Sequence, residues 1–166
     1  PLSLGAATGL SLVVGDFEVP VMDADWKAAM RRSAISAHQV LLGHPWASSL
    51  IESRLSAGPS TLRYLDTKIG VLSAAGFTMP MAVRAIMTLD SYTYGFVLQE
   101  QAWSFDVEDA PELAAAFARG LPAGSHPNLV AMAEMAAAPG GVSVDFEFGL
   151  DLILDGLERL RDTADQ

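Results

Sequence analysis

The sequence predicts an all-α protein, and three observations carry that prediction. Between Thr78 and Leu98 the only charged residues are Arg84 and Asp90, so a helix there has no broadly polar face and must be covered on several sides. Extended over 78–103, such a helix reaches about 37 Å, the diameter of a small domain. Near the C-terminus, Phe146, Leu150, Ile153, Leu157 and Leu160 recur at spacings of four and three, the pattern of a helical seam. No segment alternates apolar and polar residues in the way a half-buried strand requires.

Residues 1–15 contain Gly5, Gly9 and Gly15 and no charge, and two readings stay open for them, a frayed helix and a partly ordered arm. Phe17-Glu-Val-Pro20 reads as an extended connector, because the residue before a proline is pushed out of the α region. Asp23 is placed to cap a helix over about 24–43 whose inner face is Trp26, Met30, Ser33, Ala37 and Val40/Leu41, with Lys27, Arg31 and Arg32 facing elsewhere. Gly43-His44-Pro45 breaks it and starts a short helix, about 45–55, with Trp46, Leu50 and Ile51 inward.

A turn at Ala57-Gly-Pro-Ser60 leads to a helix over about 60–75 with Leu62, Leu65, Ile69 and Leu72 on one stripe. Lys68, on that mainly apolar helix, is expected to snorkel to solvent. Gly76-Phe77 ends the helix, the glycine taking the left-handed conformation. Thr78 and Pro80 open the central helix. Gly95 inside it costs about 1 kcal/mol relative to Ala, which a backbone crossing closely at that point would explain. Asp109-Ala-Pro-Glu112 resembles a capping box for a short helix to about Arg119. Ser125-His-Pro127 begins another, to about Ala137. In the last helix, about 144–162, Glu147, Asp151, Asp155 and Glu158 form an acidic stripe that reads as a solvated face, while Gly149 and Gly156 permit close helix crossing.

With 166 residues, 51% hydrophobic, the chain can bury one core; residues 16–166 read as that domain and 1–15 as a poorly defined arm or the remnant of a connecting helix. Ten basic residues against 20 acidic ones give a net charge of −10, which opposes binding to a phosphate backbone. The chain has no cysteine, which excludes disulfides and thiolate metal sites and fits a cytoplasmic protein. No apolar run approaches the roughly 20 residues of a membrane span. His38, His44 and His126 lack the partners of a metal site, so no metal and no cofactor is expected. No nucleophile–base pair or paired carboxylates share an inward face, which argues against an enzyme.

Phe17-Glu-Val-Pro20 with Trp26, His44-Pro-Trp46, Gly76-Phe77, Ser91-Tyr-Thr-Tyr-Gly-Phe-Val-Leu-Gln-Glu100 and Phe146-Glu-Phe-Gly-Leu-Asp-Leu-Ile-Leu-Asp-Gly-Leu157 resemble, in order and spacing, the C-terminal ligand-binding and dimerisation domain of tetracycline-repressor (TetR) family regulators. The resemblance covers about residues 16–162. It implies a bacterial transcriptional regulator, most simply a repressor, that a small-molecule effector releases from operator DNA. The N-terminal helix-turn-helix domain that would bind the operator is expected to be missing from these residues. The alternatives are a stand-alone helical interaction bundle and a helical enzyme.

The resemblance implies a homodimer through a four-helix bundle of the central and last helices. Gly95, Phe146, Gly149, Leu150, Ile153, Gly156, Leu157 and Leu160 are its expected interface. It also places an effector pocket among helices 24–43, 45–55, 60–75 and 78–103. Small Ser33 and Ala37 on an inward stripe, and polar Ser91 and Gln99 on an apolar helix, suit such a pocket. Its expected lining adds Trp26, Met30, Trp46, Leu50, Leu65 and Tyr92. The positions that hold drug and magnesium in tetracycline repressors correspond to Gly15, Ser33, Ile51, Lys68, Ser91 and Gln99. With Ile51 for the metal-binding imidazole and Gln99 for the carboxylate, the effector is expected to be mostly apolar and to need no metal.

Overall fold

The nearly uncharged helix is the centre of the packing. The computed structural model describes residues 4–22, 25–52, 58–102, 109–122, 124–138 and 145–164, and among these all regular structure is helical. In chain order the helices are α1 (Leu4–Gly15), α2 (Trp26–Leu42), α3 (Pro45–Glu52), α4 (Pro59–Ala74), α5 (Met79–Ala102), α6 (Ala110–Gly120), α7 (Pro127–Ala137) and α8 (Phe146–Ala164). Helix α5 packs against α2, α3, α4 and α8, while α1 lies on α2, α3 and α4. These six helices form one compact unit; α6 and α7, packed on each other, form a second.

Two apolar clusters hold the first unit together. One joins α2, α4, α5 and α8 through Met30, Leu72, Leu89, Leu150 and Leu154, with the Trp26 and Phe77 rings edge to face at 4.9 Å. The other joins α1 to α2, α3, α4 and α5 through Val13, Val14, Ala37, Leu41, Ala47 and Val97, with Phe17 against Tyr64 at 5.4 Å. Helix α2 contributes to both clusters along the inward face expected for it: Trp26, Met30, Ser33, Ala37 and Leu41 are buried, and Val40 packs partly buried against the second cluster. The stop after α4 is also as expected. Gly76 has φ +93°, and the Phe77 N–H reaches back to the Leu72 carbonyl at 3.1 Å.

Several expectations need correction. Of the two readings left open for residues 1–15, the helical one holds: α1 buries Val13 and Val14 in the second cluster. Asp25 caps α2, its carboxylate accepting from the Ala28 N–H at 3.0 Å; Asp23 lies outside the described residues. Asp109 makes no side-chain capping bond to α6. Helix α4 is rotated from its expected stripe. It buries Tyr64, Lys68, Val71 and Leu72, whereas Leu62 and Leu65 are exposed.

The seam of α8 faces the protomer's own interior. Phe146, Leu150 and Leu154 are buried there, with Ile153 and Leu157 packed at the margin, so Phe146 and Leu150 are not free to meet a partner. Leu160 is exposed, as are Phe148 and Leu152 on another side of the helix. A side chain at Gly149 would run into the Tyr92 ring, so its close crossing is with α5 of the same chain. A side chain at Gly95 would meet open space, and at Gly156 only the end of Arg159, 3.9 Å away.

The acidic stripe of α8 is a partner surface. Arg31 of α2 bonds Glu147 at 2.6 Å and Asp151 at 2.7 Å, and Lys27 bonds Asp155 at 2.6 Å and Glu158 at 2.8 Å. Residues one turn apart on each helix thus form two rungs of a ladder between α2 and α8. These groups are partly exposed, so salt weakens each rung. The hydrogen bond from Lys27 and its charge hold the Asp155 carboxyl below the usual carboxylate range. A depressed folded-state value stabilises above the unfolded-state value, and that stabilisation is lost as pH falls through the folded one. Side-chain carbon NMR of the acid titration should place Asp155 below the ordinary range and return it there in Lys27→Met. An Asp155 midpoint unchanged by that substitution would contradict the ladder.

Candidate functional site

A chain of polar side chains runs through the apolar interior between α2, α4 and α5. On α2, Ser33 is 1% exposed. Its hydroxyl donates to the Glu18 carbonyl, 2.8 Å away in the connector after α1. That uses its one proton, so the Tyr64 hydroxyl donates to Ser33 across 2.9 Å. One turn along α4, the Lys68 ammonium sits 4.9 Å from the Tyr64 ring centroid and is ion-paired with Asp90 of α5. Burial alone would lower the Lys68 pKa, but Tyr64 and the Asp90 carboxylate outweigh it and raise it, so the side chain is a cation. One turn beyond Asp90, burial and then the Asp90 charge push the Tyr94 phenol well above its usual value, which keeps it neutral.

Lys68 does not snorkel: its side chain is 4% exposed, against 27% for Asp90. The cation is enclosed and its counter-ion sits at the edge. On α3, Ser48 is fully buried, and its hydroxyl has no hydrogen-bond partner. It follows Ala47, a member of the same apolar cluster as Tyr64.

A second polar assembly lies where α2, α5 and α8 meet. His38 bonds Glu100 at 2.6 Å and stacks on Phe146 with ring centroids 4.1 Å apart, while the Tyr92 hydroxyl donates to the Phe146 carbonyl at 2.8 Å. These contacts fix the start of α8 against its neighbours. His44 instead bonds the Val40 carbonyl at 2.8 Å, a helix-end role.

The structure brings together only part of the expected lining. Ser33 and Ala37 border Tyr64, as an interior site requires. Trp26 and Met30 belong to the other cluster, and Tyr92 packs on Phe146. Ser91 and Gln99 are exposed on α5 and do not join the buried group, and neither does Leu65. Trp46 is half exposed and lies against α1, where a side chain at Gly9 would come within 3.2 Å of its ring. The side chain of Leu50 lies outside the described residues. Tyr64, Asp90, Tyr94 and Ser48 are not among the residues the sequence points to as lining, and Lys68, at a position corresponding to a drug-holding one, was expected to reach solvent. The available signal was Asp90, one of two charges in an otherwise neutral helix.

The sequence profile described as "Tetracyclin repressor-like, C-terminal domain" matches residues 19–161. The chain belongs to the tetracycline-repressor family. It is 30% identical over 145 residues to the Escherichia coli tetracycline repressor protein class C, covering 87% of this chain and 64% of that protein. It is likewise 30% identical over 150 residues to the transcriptional repressor DrrR1 of Streptomyces coeruleorubidus, covering 83% and 53%. The chain therefore spans less than two thirds of either repressor.

Among solved structures, a possible TetR family transcriptional regulator from Streptomyces coelicolor superposes with a TM-score of 0.69 at 32% identity, covering 93% of this chain and 75% of that one. The TetR family protein ActR of Streptomyces coelicolor, in complex with actinorhodin, gives 0.73 at 20% identity over 94% and 75% of the two chains. The all-α TetR C-terminal fold and the non-enzymatic family agree with the sequence reading. Among the described residues no group of histidines and acids is arranged to hold a metal ion, and no helix is long and apolar enough to cross a membrane.

The unequal exposure of Lys68 and Asp90 makes their removal asymmetric. Asp90→Ala strands an enclosed ammonium and should cost about 3–5 kcal/mol. Lys68→Met should cost much less, because the Asp90 carboxylate already reaches water. Urea unfolding of the two variants checks this; equal losses would contradict the assigned geometry.

Proposed function

We propose that this chain is the effector-sensing and dimerising part of a cytoplasmic transcriptional repressor, released from its operator by a small, mostly apolar molecule bound between α2, α3, α4 and α5. The carrying observation is the Ser33–Tyr64–Lys68–Asp90 chain inside an apolar interior, a mixture suited to orienting an organic ligand. In support of a small organic effector, one relative is a tetracycline repressor, and a TetR family protein of the same fold was solved with actinorhodin. With Ile51 at the position of the metal-binding imidazole, the effector here needs no metal.

The contacts of α1 offer the output. Ser33 holds the connector after α1 through the Glu18 carbonyl. At the start of α4 a side chain on Gly58 would come within 2.6 Å of Ser11, so α1 rides closely there. An effector that favours one placement of α2 and α4 over another biases α1, and through it a DNA-binding domain preceding this one. Only unequal affinity for the two placements moves that equilibrium.

Dimerisation is assigned to the outward apolar residues of the two bundle helices: Met79, Val83 and Met87 on α5, Leu152 and Leu160 on α8. Open space at Gly95 and near Gly156 leaves room for a partner helix. A stable dimer of this kind buries more than about 1,000 Å². Leu152→Glu puts an unpaired charge into that surface and should yield a folded monomer by sedimentation equilibrium. In the full-length protein it should abolish the operator complex, measured by anisotropy on DNA from upstream of its own gene. An intact dimer in this variant would refute the assigned interface.

A further inference from the structure

Lys68 and Asp90 pose a question that packing does not answer. An interior ion pair roughly breaks even against two apolar side chains of similar volume, so stability does not explain why α4 carries a lysine at a 3% exposed position. The pair is lopsided: the ammonium is enclosed beside the Tyr64 ring, and the carboxylate that neutralises it has 27% of its side chain exposed. Asp90 can rotate towards water and keep its charge solvated, whereas Lys68 cannot. Once Asp90 turns away, the enclosed cation requires another anion. The hydroxyls of the other buried polar side chains nearby, Ser33 and Tyr64, are satisfied by each other and by Glu18.

We propose that the effector is an apolar ring compound bearing one anionic oxygen group, and that this group takes the place of Asp90 at the Lys68 ammonium. The inference rests on reading this interior as the effector site, and it adds the ligand's charge and the residue it displaces. The exchange is charge-matched, one carboxylate leaving for solvent as one anion enters, so it strands no interior charge. It also puts the bound molecule at the ammonium beside the Tyr64 ring, whose hydroxyl bonds Ser33, the residue that holds the connector after α1.

The test uses two fluorescent probes that differ by one group: 1-anilinonaphthalene-8-sulfonate and its uncharged parent, N-phenyl-1-naphthylamine. Only the sulfonate signal displaced by the neutral probe is read, so both report on one site. The double variant Lys68→Met/Asp90→Asn removes both charges together, and its fold is checked by helical circular dichroism. It should weaken sulfonate binding about tenfold or more, the loss of one charge-assisted hydrogen bond, and leave the neutral probe within about twofold. Asp90→Asn alone, which frees the ammonium, should tighten the sulfonate and not the neutral probe. Parallel changes for the two probes in both variants would overturn the anion assignment and leave the effector-site reading standing. Failure of the protein to bind either probe would overturn both.

Discussion

The structure depends on the burial of α5. A helix with only Arg84 and Asp90 charged over its first twenty residues has no broadly polar face; α2, α3, α4 and α8 pack on one side of it, and Met79, Val83 and Met87 stay outward. That burial explains why Ala82, Ala85, Leu89, Thr93 and Val97 are enclosed, with Thr93 satisfied by the Leu89 carbonyl of its own helix. It also carries Asp90 to the edge of the interior, where Lys68 of α4 pairs with it. Packing accounts for the place of that carboxylate, but not for the choice of an ion pair over two apolar side chains.

Helix α2 is held from two sides by different physics. Towards α8 it makes the partly exposed ladder of Lys27 and Arg31, which is salt-sensitive. Towards α4 and the connector it makes the enclosed Ser33–Tyr64–Glu18 bonds, which are not. An element gripped by one yielding and one rigid contact suits a role in which its position carries a signal.

Much of this was legible in the sequence because it is local. The inward face of α2, the left-handed Gly76 and the helical class follow from spacing and turn chemistry within a few residues. The errors on α4 and α8 needed a partner far along the chain. Helix α4 offers two overlapping faces, 62/65/69/72 and 64/68/71/72, and hydrophobicity alone favours the first; the second wins because Asp90, 22 residues on, accepts the lysine. The acidic stripe of α8 read as solvated because its cations lie more than a hundred residues earlier, on α2. The seam of α8 was recognised as apolar, but periodicity does not say whether the covering surface belongs to the same chain. Ser91 and Gln99 were polar on an apolar helix, and the sequence could not tell an interior polar group from an outward one.

Native-state hydrogen exchange tests the central role of α5 most directly. If its burial is the constraint on which the other helices depend, the amides between residues 82 and 97 open only when the unit unfolds, with exchange free energies equal to that of global unfolding. The amides of α1, attached at the margin, should exchange through smaller openings. Exchange of the α5 interior through a partial opening, while α2 and α8 stay protected, would contradict the account.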